Sequence, residues 1–322
     1  MLMVVLLTVP FLSGCDNAIN FAIDVAVDVL EGIEESAKDA KEADDNSPVN
    51  DSNDADDSSG VKIQDSTFDD KSGLLEVHFI DVGQGDSALI SKDNTNILVD
   101  AGDWKGDEVV PYLKEQGITD LSLVVGSHEH ADHIGQMADV VNEFNVDEVW
   151  LPGNTHSSNV YNNLLEAIDE NDVNYEEPRA GGEYQIGDLD IDVLHPKKLT
   201  GNLNNDSIVM KVTYEDVSFL FTGDIEAKAE KELLARTKDL KSTILKVSHH
   251  GSNTSSTSDF IRYANPSEAI ISVGEDNKYK HPNKEVLDTL KNVASTGVYA
   301  TKDNGSIVVK TDGNFYKVYS TN

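Results

Sequence analysis

LSLVVGSHEHADH, residues 121–133, is the stretch from which the rest of the chain can be read. It opens on an apolar run, Leu121 to Val125, of a length that suits a buried strand and is too short for a helix. Behind that run come His128, His130, Asp132 and His133. Imidazoles and a carboxylate packed this closely are donors suited to zinc, manganese or iron. Alternate residues of an extended loop point the same way, so His128 and His130 can converge on one ion while Asp132 and His133 face a second. A loop at the end of a strand is also where sites are usually built, on the rim of a rigid sheet.

Two later segments repeat the plan. Phe219-Leu220-Phe221-Thr222-Gly223-Asp224 is an apolar strand ending in a carboxylate that can bridge two ions. Ile244-Leu245-Lys246-Val247-Ser248-His249-His250 is another strand, ending in a histidine pair suited to metal binding or proton transfer. Around these, alternation and β-branched content predict strands over 75–80, 88–90, 97–99, 148–151, 189–194, 207–214, 217–221, 269–273, 297–300 and 306–310. Three- and four-residue spacing predicts helices over 109–116, 139–144, 160–170, 227–234 and 284–293. Strands interleaved with helices, without a fixed repeat, imply an α/β fold of two packed sheets with helices outside.

The ordered set of motifs resembles the metallo-β-lactamase superfold. It is closer to one branch. Phe79-Ile80-Asp81-Val82-Gly83-Gln84-Gly85-Asp86-Ser87, Leu98-Val99-Asp100-Ala101-Gly102, Asn205-Asp206-Ser207, Thr222-Gly223-Asp224, His249-His250-Gly251-Ser252 and Asn277-Lys278-Tyr279-Lys280-His281-Pro282 are similar to the hydrolase domain of the ComEC competence DNA-uptake channel. The resemblance implies an αββα sandwich of two mixed sheets holding two divalent ions, zinc or manganese. It implies His128 and His130 at the first ion, Asp132 and His133 at the second, and Asp224 as the bridge. One of His249 and His250 completes the second site; His250 is preferred there, with His249 facing substrate. Asp100 orients a ligand imidazole. Many relatives place a histidine before the Gly-Asp strand, where this chain has Leu203-Asn204-Asn205-Asp206-Ser207. Asp206 is expected to replace it, with His195 as the other candidate. Asp132, His249 and His281 are the candidate catalytic side chains; His249 or His281 would protonate a leaving group or touch a phosphate oxygen. The Gly83–Gly85 turn is expected to let backbone approach the site.

The 322-residue chain carries a formal net charge of −34. Arginine occurs only at 179, 236 and 262. Such acidity speaks against a standing nucleic-acid track, which needs a basic stripe. Residues 1–12, MLMVVLLTVPFL, are too short to span a bilayer but suit the apolar region of a signal peptide. Leu12-Ser13-Gly14-Cys15 resembles a bacterial lipobox, in which the cysteine takes up the lipid; it is also the only cysteine, so no intrachain disulfide forms. The expected organisation is a signal peptide with lipobox over 1–15, a helix over 16–43, an acidic tether over 44–73 and a hydrolase domain over 74–322. The protein is therefore expected outside the cytoplasm, held to the membrane by lipid alone, with no obligate protein partner. The expected activity is hydrolysis of a phosphodiester, DNA or a cell-surface phosphoester. The alternatives are a phosphocholine or teichoic-acid esterase and a noncatalytic binding lipoprotein. Cleavage of β-lactams would rest on fold alone.

Overall fold

Alternation along single strands decides the layering of the computed structural model, which describes residues 73–322 except Lys238 and Ser295. The expected signal peptide, Cys15, the helix over 16–43 and the tether, apart from Gly73, lie outside the described residues. In chain order the strands are β1 (Leu75–Phe79), β2 (Ser87–Lys92), β3 (Thr95–Ala101), β4 (Asp120–Leu121), β5 (Leu123–Val125), β6 (Asn145–Val146), β7 (Glu148–Trp150), β8 (Asn174–Glu176), β9 (Gly182–Ile186), β10 (Leu189–His195), β11 (Val209–Tyr214), β12 (Val217–Phe221), β13 (Ile244–Lys246), β14 (Glu268–Ile271), β15 (Gly297–Ala300), β16 (Ile307–Thr311) and β17 (Tyr316–Ser320). They form one sheet in the order β17-β16-β1-β2-β3-β5-β7-β8 and a second in the order β15-β14-β13-β12-β11-β10-β9; β4 and β6 pair separately. Both large sheets are mixed. β3, β5, β7 and β8 run parallel, as do β12 through β15, and the other neighbours are antiparallel.

On β3, Ile97 and Val99 join a central cluster with Phe219, Phe221, Ile244 and Ile270 of the second sheet. Leu98, one step out of phase, faces the other way with Leu89, Val124 and Val149. The second sheet does the same: Leu220, Leu245, Ala269 and Ile271 point outward. The period of two thus gives each sheet two buried faces, one against its partner and one against helices. Helices α1 (Val109–Glu115), α2 (Met137–Glu143) and α3 (Asn159–Glu170) cover the first sheet. Helices α4 (Ala227–Arg236), α5 (Ser258–Ala264) and α6 (Lys284–Val293) cover the second, and a short α7 (Thr301–Asn304) follows β15. The result is the expected αββα sandwich of two mixed sheets.

Local chemistry sets the helix ends. Ser158 accepts from the backbone N–H of Tyr161 at 3.1 Å, starting α3, whose buried Tyr161, Leu164, Ala167 and Ile168 fall on one stripe. Thr257 accepts from Phe260 N and starts α5, which the periodic reading passes over. The strands it also passes over, β6, β8, β9 and β17, contain exposed or half-buried positions, so their apolar signal is thin.

Candidate metal centre

The carboxyl ends of the parallel strands in both sheets meet at one rim, the usual place for ligands in such sheets. Asp100 ends β3, the loop carrying residues 127–133 follows β5, Asp224 follows β12, and His249 and His250 follow β13. The loop after β5 is not extended as expected. It coils into a turn in which His133 N and Ile134 N both donate to His130 O, at 3.1 and 3.0 Å. The side chains still segregate. His128 Nε2 lies 3.0 Å from His130 Nδ1, while Glu129 turns away and accepts from Asn154 N at 2.8 Å. The turn's tightness needs room behind it. A Cβ on Gly85 would stand 2.7 Å from Asp132 O, so only glycine allows this approach, and Asp86 N then donates to that same oxygen at 3.1 Å.

One atom organises the centre. Asp224 Oδ2 lies 3.4 Å from His133 Nε2 and 3.8 Å from the Nε2 atoms of His128, His249 and His250. On the other side, Asp132 Oδ2 lies 3.4 Å from His250 Nε2. Donor atoms of His128, His133 and Asp224 form one compact set, and those of Asp132, His133 and His250 another. Asp224 Oδ1, His133 Nε2 and His250 Nε2 are buried without a hydrogen-bond partner among the described residues. Leaving polar atoms so costs free energy unless something else satisfies them, and a cation is the partner this donor set suits.

The residues behind these donors hold them in place. Asp100, at φ +60°, accepts from Ser127 N at 2.7 Å and Ser127 Oγ at 2.8 Å, and its Oδ2 lies 2.9 Å from His133 Nδ1. His250 Nδ1 lies 3.0 Å from Ser272 O and 3.2 Å from Asp86 Oδ1. Each imidazole thus has one nitrogen anchored and the other free to face the centre. His249 and His250 both adopt the left-handed conformation, at φ +51° and +52°, a cost the surrounding contacts must offset. His250 is buried against Asp132, whereas His249 stays partly open, with its Nδ1 3.3 Å from Thr254 Oγ1.

Electrostatics follow from the same contacts. Burial alone would lower His250, but Asp224 and Asp86 raise it to about 10. His133 goes the same way: burial opposes its charge, and Asp224 and Asp100 push it well above the usual range. His128 moves down, through burial and the neighbouring His133. A site whose carboxylates draw protons onto buried imidazoles is one that a divalent cation can occupy as the protons leave. Burial lowers His281 to about 4, with His250 and His249 adding to the effect. Its imidazole is neutral near pH 7, which suits hydrogen bonding better than proton donation.

Two expected ligands are corrected. Asp206 accepts from Thr200 N, Thr200 Oγ1 and Gly201 N at 2.8–2.9 Å, so its carboxylate is spent on its own loop. His195 Nε2 lies 2.7 Å from Asn205 O and its Nδ1 lies 2.9 Å from Arg236 Nη2, leaving no nitrogen for an ion. Neither lines the cavity of about 310 Å³ that His130, Asp132, Asp224, His249, His250 and His281 share. Two positioning residues carry only a faint sequence signal. Asp86 is a carboxylate directly after the Gly83–Gly85 turn. Lys246 is a lone lysine in an apolar strand, and its Nζ reaches Asp86 Oδ2 at 2.7 Å.

Residues 80–275 match the family model described as "Metallo-beta-lactamase superfamily". The chain belongs to this superfamily. Within it, the chain is 33% identical over 252 residues to ComE operon protein 3 of Bacillus subtilis, covering 72% of this chain and 32% of that protein. It is 32% identical over 222 residues to Recombination protein 2 of Haemophilus influenzae, covering 67% of this chain and 26% of that one. The resemblance to the ComEC type read from the motifs is thus borne out, while the chain spans about a third or less of the length of these relatives. A solved mutant of CmlA beta-hydroxylase shares the fold, with TM-score 0.50 and 11% identity over 74% of this chain and 54% of that one. The superfamily implies divalent metal, and the orphaned donors at Asp224, His133 and His250 fit it.

Proposed function

We propose that the protein is a two-metal phosphodiesterase that cleaves DNA outside the cytoplasm. The observation that carries this reading is Asp224 Oδ2, which stands within 3.8 Å of ring nitrogens from both compact donor sets. A carboxylate so placed is built to be shared. His128 and His130 would hold one ion, Asp132, His133 and His250 the other, and Asp224 both. Bound there, the ions supply Lewis-acid polarisation of a phosphoryl oxygen and a water acidic enough to attack near neutral pH. The chain's own part is to orient and to move protons. Asp100, Ser272 and Asp86 fix the imidazoles. His249, on the open side with Glu226 3.8 Å behind its Nδ1, is placed to pass a proton to the leaving oxygen as the P–O bond breaks.

DNA as substrate is supported by the resemblance to the ComEC type and by relatives named for recombination and competence, Recombination protein 2 and the Competence protein ComA of Neisseria gonorrhoeae. The net charge of −34 favours a second reading, a small surface phosphoester such as phosphocholine, which needs no basic track. The test is the metal-loaded domain, with its bound metal counted, assayed on single-stranded DNA, bis-p-nitrophenyl phosphate and p-nitrophenylphosphorylcholine. Cleavage of the first two supports the proposal. Cleavage of the choline ester alone moves the protein to the second reading, and cleavage of none removes both. No helix among the described residues is long and apolar enough to cross a membrane. The location rests on the apolar run before Cys15, and native protein without lipid mass on Cys15 would overturn the lipid anchor.

A further inference from the structure

Three residues that line the metal cavity each carry a polar atom that serves neither ion. Gln84 Nε2, Asn204 Oδ1 and His281 Nδ1 are buried and have no hydrogen-bond partner among the described residues. Beside them stands Tyr279, a large aromatic that is 53% exposed and lines the same cavity. Its ring is backed by His281, with centroids 5.6 Å apart and planes 22° apart. His281 in turn meets His249 edge-on at 5.9 Å, and His249 faces Asp224. A flat ring open to solvent is therefore joined through two imidazoles to the shared carboxylate.

This wall is built and held. Asn277 Nδ2 donates to Gly274 O and His281 O at 2.8 and 2.9 Å, and its Oδ1 accepts from His281 N at 2.8 Å, closing the turn that presents Tyr279. The turn's root packs on the Gly83–Gly85 turn, where a Cβ on Gly274 would stand 2.8 Å from Gln84 N. Gly274 N donates to Gln84 Oε1 at 3.4 Å, which leaves Gln84 Nε2 as the free donor. Lys278 Nζ lies 5.0 Å from the centre of the Tyr279 ring. A ring that already carries one cation is poorly disposed to a second, such as a quaternary ammonium. A neutral flat group joined to an anion suits it better.

We propose that Tyr279 is a stacking platform for a nucleobase flanking the scissile diester, with Gln84, Asn204 and His281 supplying polar contacts to that nucleotide. This rests on the phosphodiesterase reading and adds a nucleotide subsite to it. Stacking of one base on an aromatic side chain changes binding by roughly 5- to 150-fold. The platform accepts any base, so the subsite selects nucleotides without selecting sequence.

The test compares the metal-loaded parent, Tyr279→Leu and Tyr279→Phe on two esters with one leaving group, thymidine 5′-(p-nitrophenyl phosphate) and ethyl p-nitrophenyl phosphate. The expected result is a parent preference for the thymidine ester that falls at least five-fold in Tyr279→Leu, through KM, and is kept by Tyr279→Phe. A preference unchanged in Tyr279→Leu overturns the subsite and leaves the phosphodiesterase standing. Binding of a short thymidine oligomer, followed by titration calorimetry, separates the two proposals. If the parent cleaves neither ester yet binds the oligomer at least five-fold tighter than Tyr279→Leu does, the activity fails and the platform stands. If oligomer binding is also unchanged, the platform falls. Loss in Tyr279→Leu confined to p-nitrophenylphosphorylcholine would give the ring to a quaternary ammonium and overturn the nucleobase.

Discussion

Lys246 Nζ lies 2.7 Å from Asp86 Oδ2, and the other oxygen of that carboxylate lies 3.2 Å from His250 Nδ1. Lysine, carboxylate and candidate ligand form one buried line; Lys246 is only 4% exposed. Burial alone would raise Asp86, but Lys246 and His250 overcome it and keep the carboxyl ionised. Removing one member of a buried pair leaves the other charge uncompensated, at a cost of about 3–5 kcal/mol. Lys246→Met is therefore expected to lose about that much stability in urea and to weaken binding at the ion His250 serves. Adding Asp86→Asn should return most of the stability, because the stranded charge is gone, but not the metal affinity. If Lys246→Met keeps parental stability and metal affinity, the line has no structural role.

Asp224→Asn tests the shared carboxylate. The substitution leaves Asp132 as the one carboxylate among the proposed ligands, with no anion shared between the two sets. We expect bound metal to fall to one ion or none and hydrolysis to be lost. The domain should stay folded, since Asp224 sits at the rim and the three apolar clusters do not include it. Metal content and circular dichroism of the purified variant decide it. Two ions retained at full activity would sink the shared-carboxylate mechanism.

The layering and most of the donor set were legible because both rest on short-range regularity. Ile97, Leu98 and Val99 announce two buried faces by themselves, and His128, His130, Asp132 and His133 lie within one turn. What stayed hidden depends on direction. Whether Asp206 faces an ion or its own loop is decided by the backbone N–H groups of Thr200 and Gly201, which no spacing rule reports. The same holds for Asp86 and Lys246, 160 residues apart in the chain and joined only by the packing of two sheets.

The turned-away Asp206 gives a prediction opposite to the one its place in the sequence suggests. Asp206→Ala removes the acceptor for Thr200 N, Thr200 Oγ1 and Gly201 N, which are only partly reachable by water. The expected loss is about 2–3 kcal/mol of stability, with metal stoichiometry kept. Chemical denaturation beside metal analysis separates this from a ligand role. Parental stability with one ion missing would put Asp206 back in the centre.

Far from the centre, Glu76 carries a pH signature. It sits opposite Lys310 across the β1–β16 ladder, with Lys310 Nζ 2.6 Å from its Oε1, and on the same face as His78, whose Nε2 lies 3.4 Å from its Oε2. The bond to His78 first, and Lys310 after it, hold Glu76 at about 2, against an ordinary value of 4.5. A carboxyl depressed in the folded state contributes its stability above the unfolded value and loses it as pH falls from about 4.5 through 2. Allowing for solvent at this partly open site, the contribution at pH 7 is about 1–2 kcal/mol. Glu76→Gln should therefore be less stable than the parent by about that amount at pH 7, and the gap should narrow steadily below pH 4.5. Urea midpoints of both proteins, measured with chelator present from pH 7 down to pH 3, read this directly. A gap that stays constant across that range would mean that Glu76 acts through packing and not through its charge.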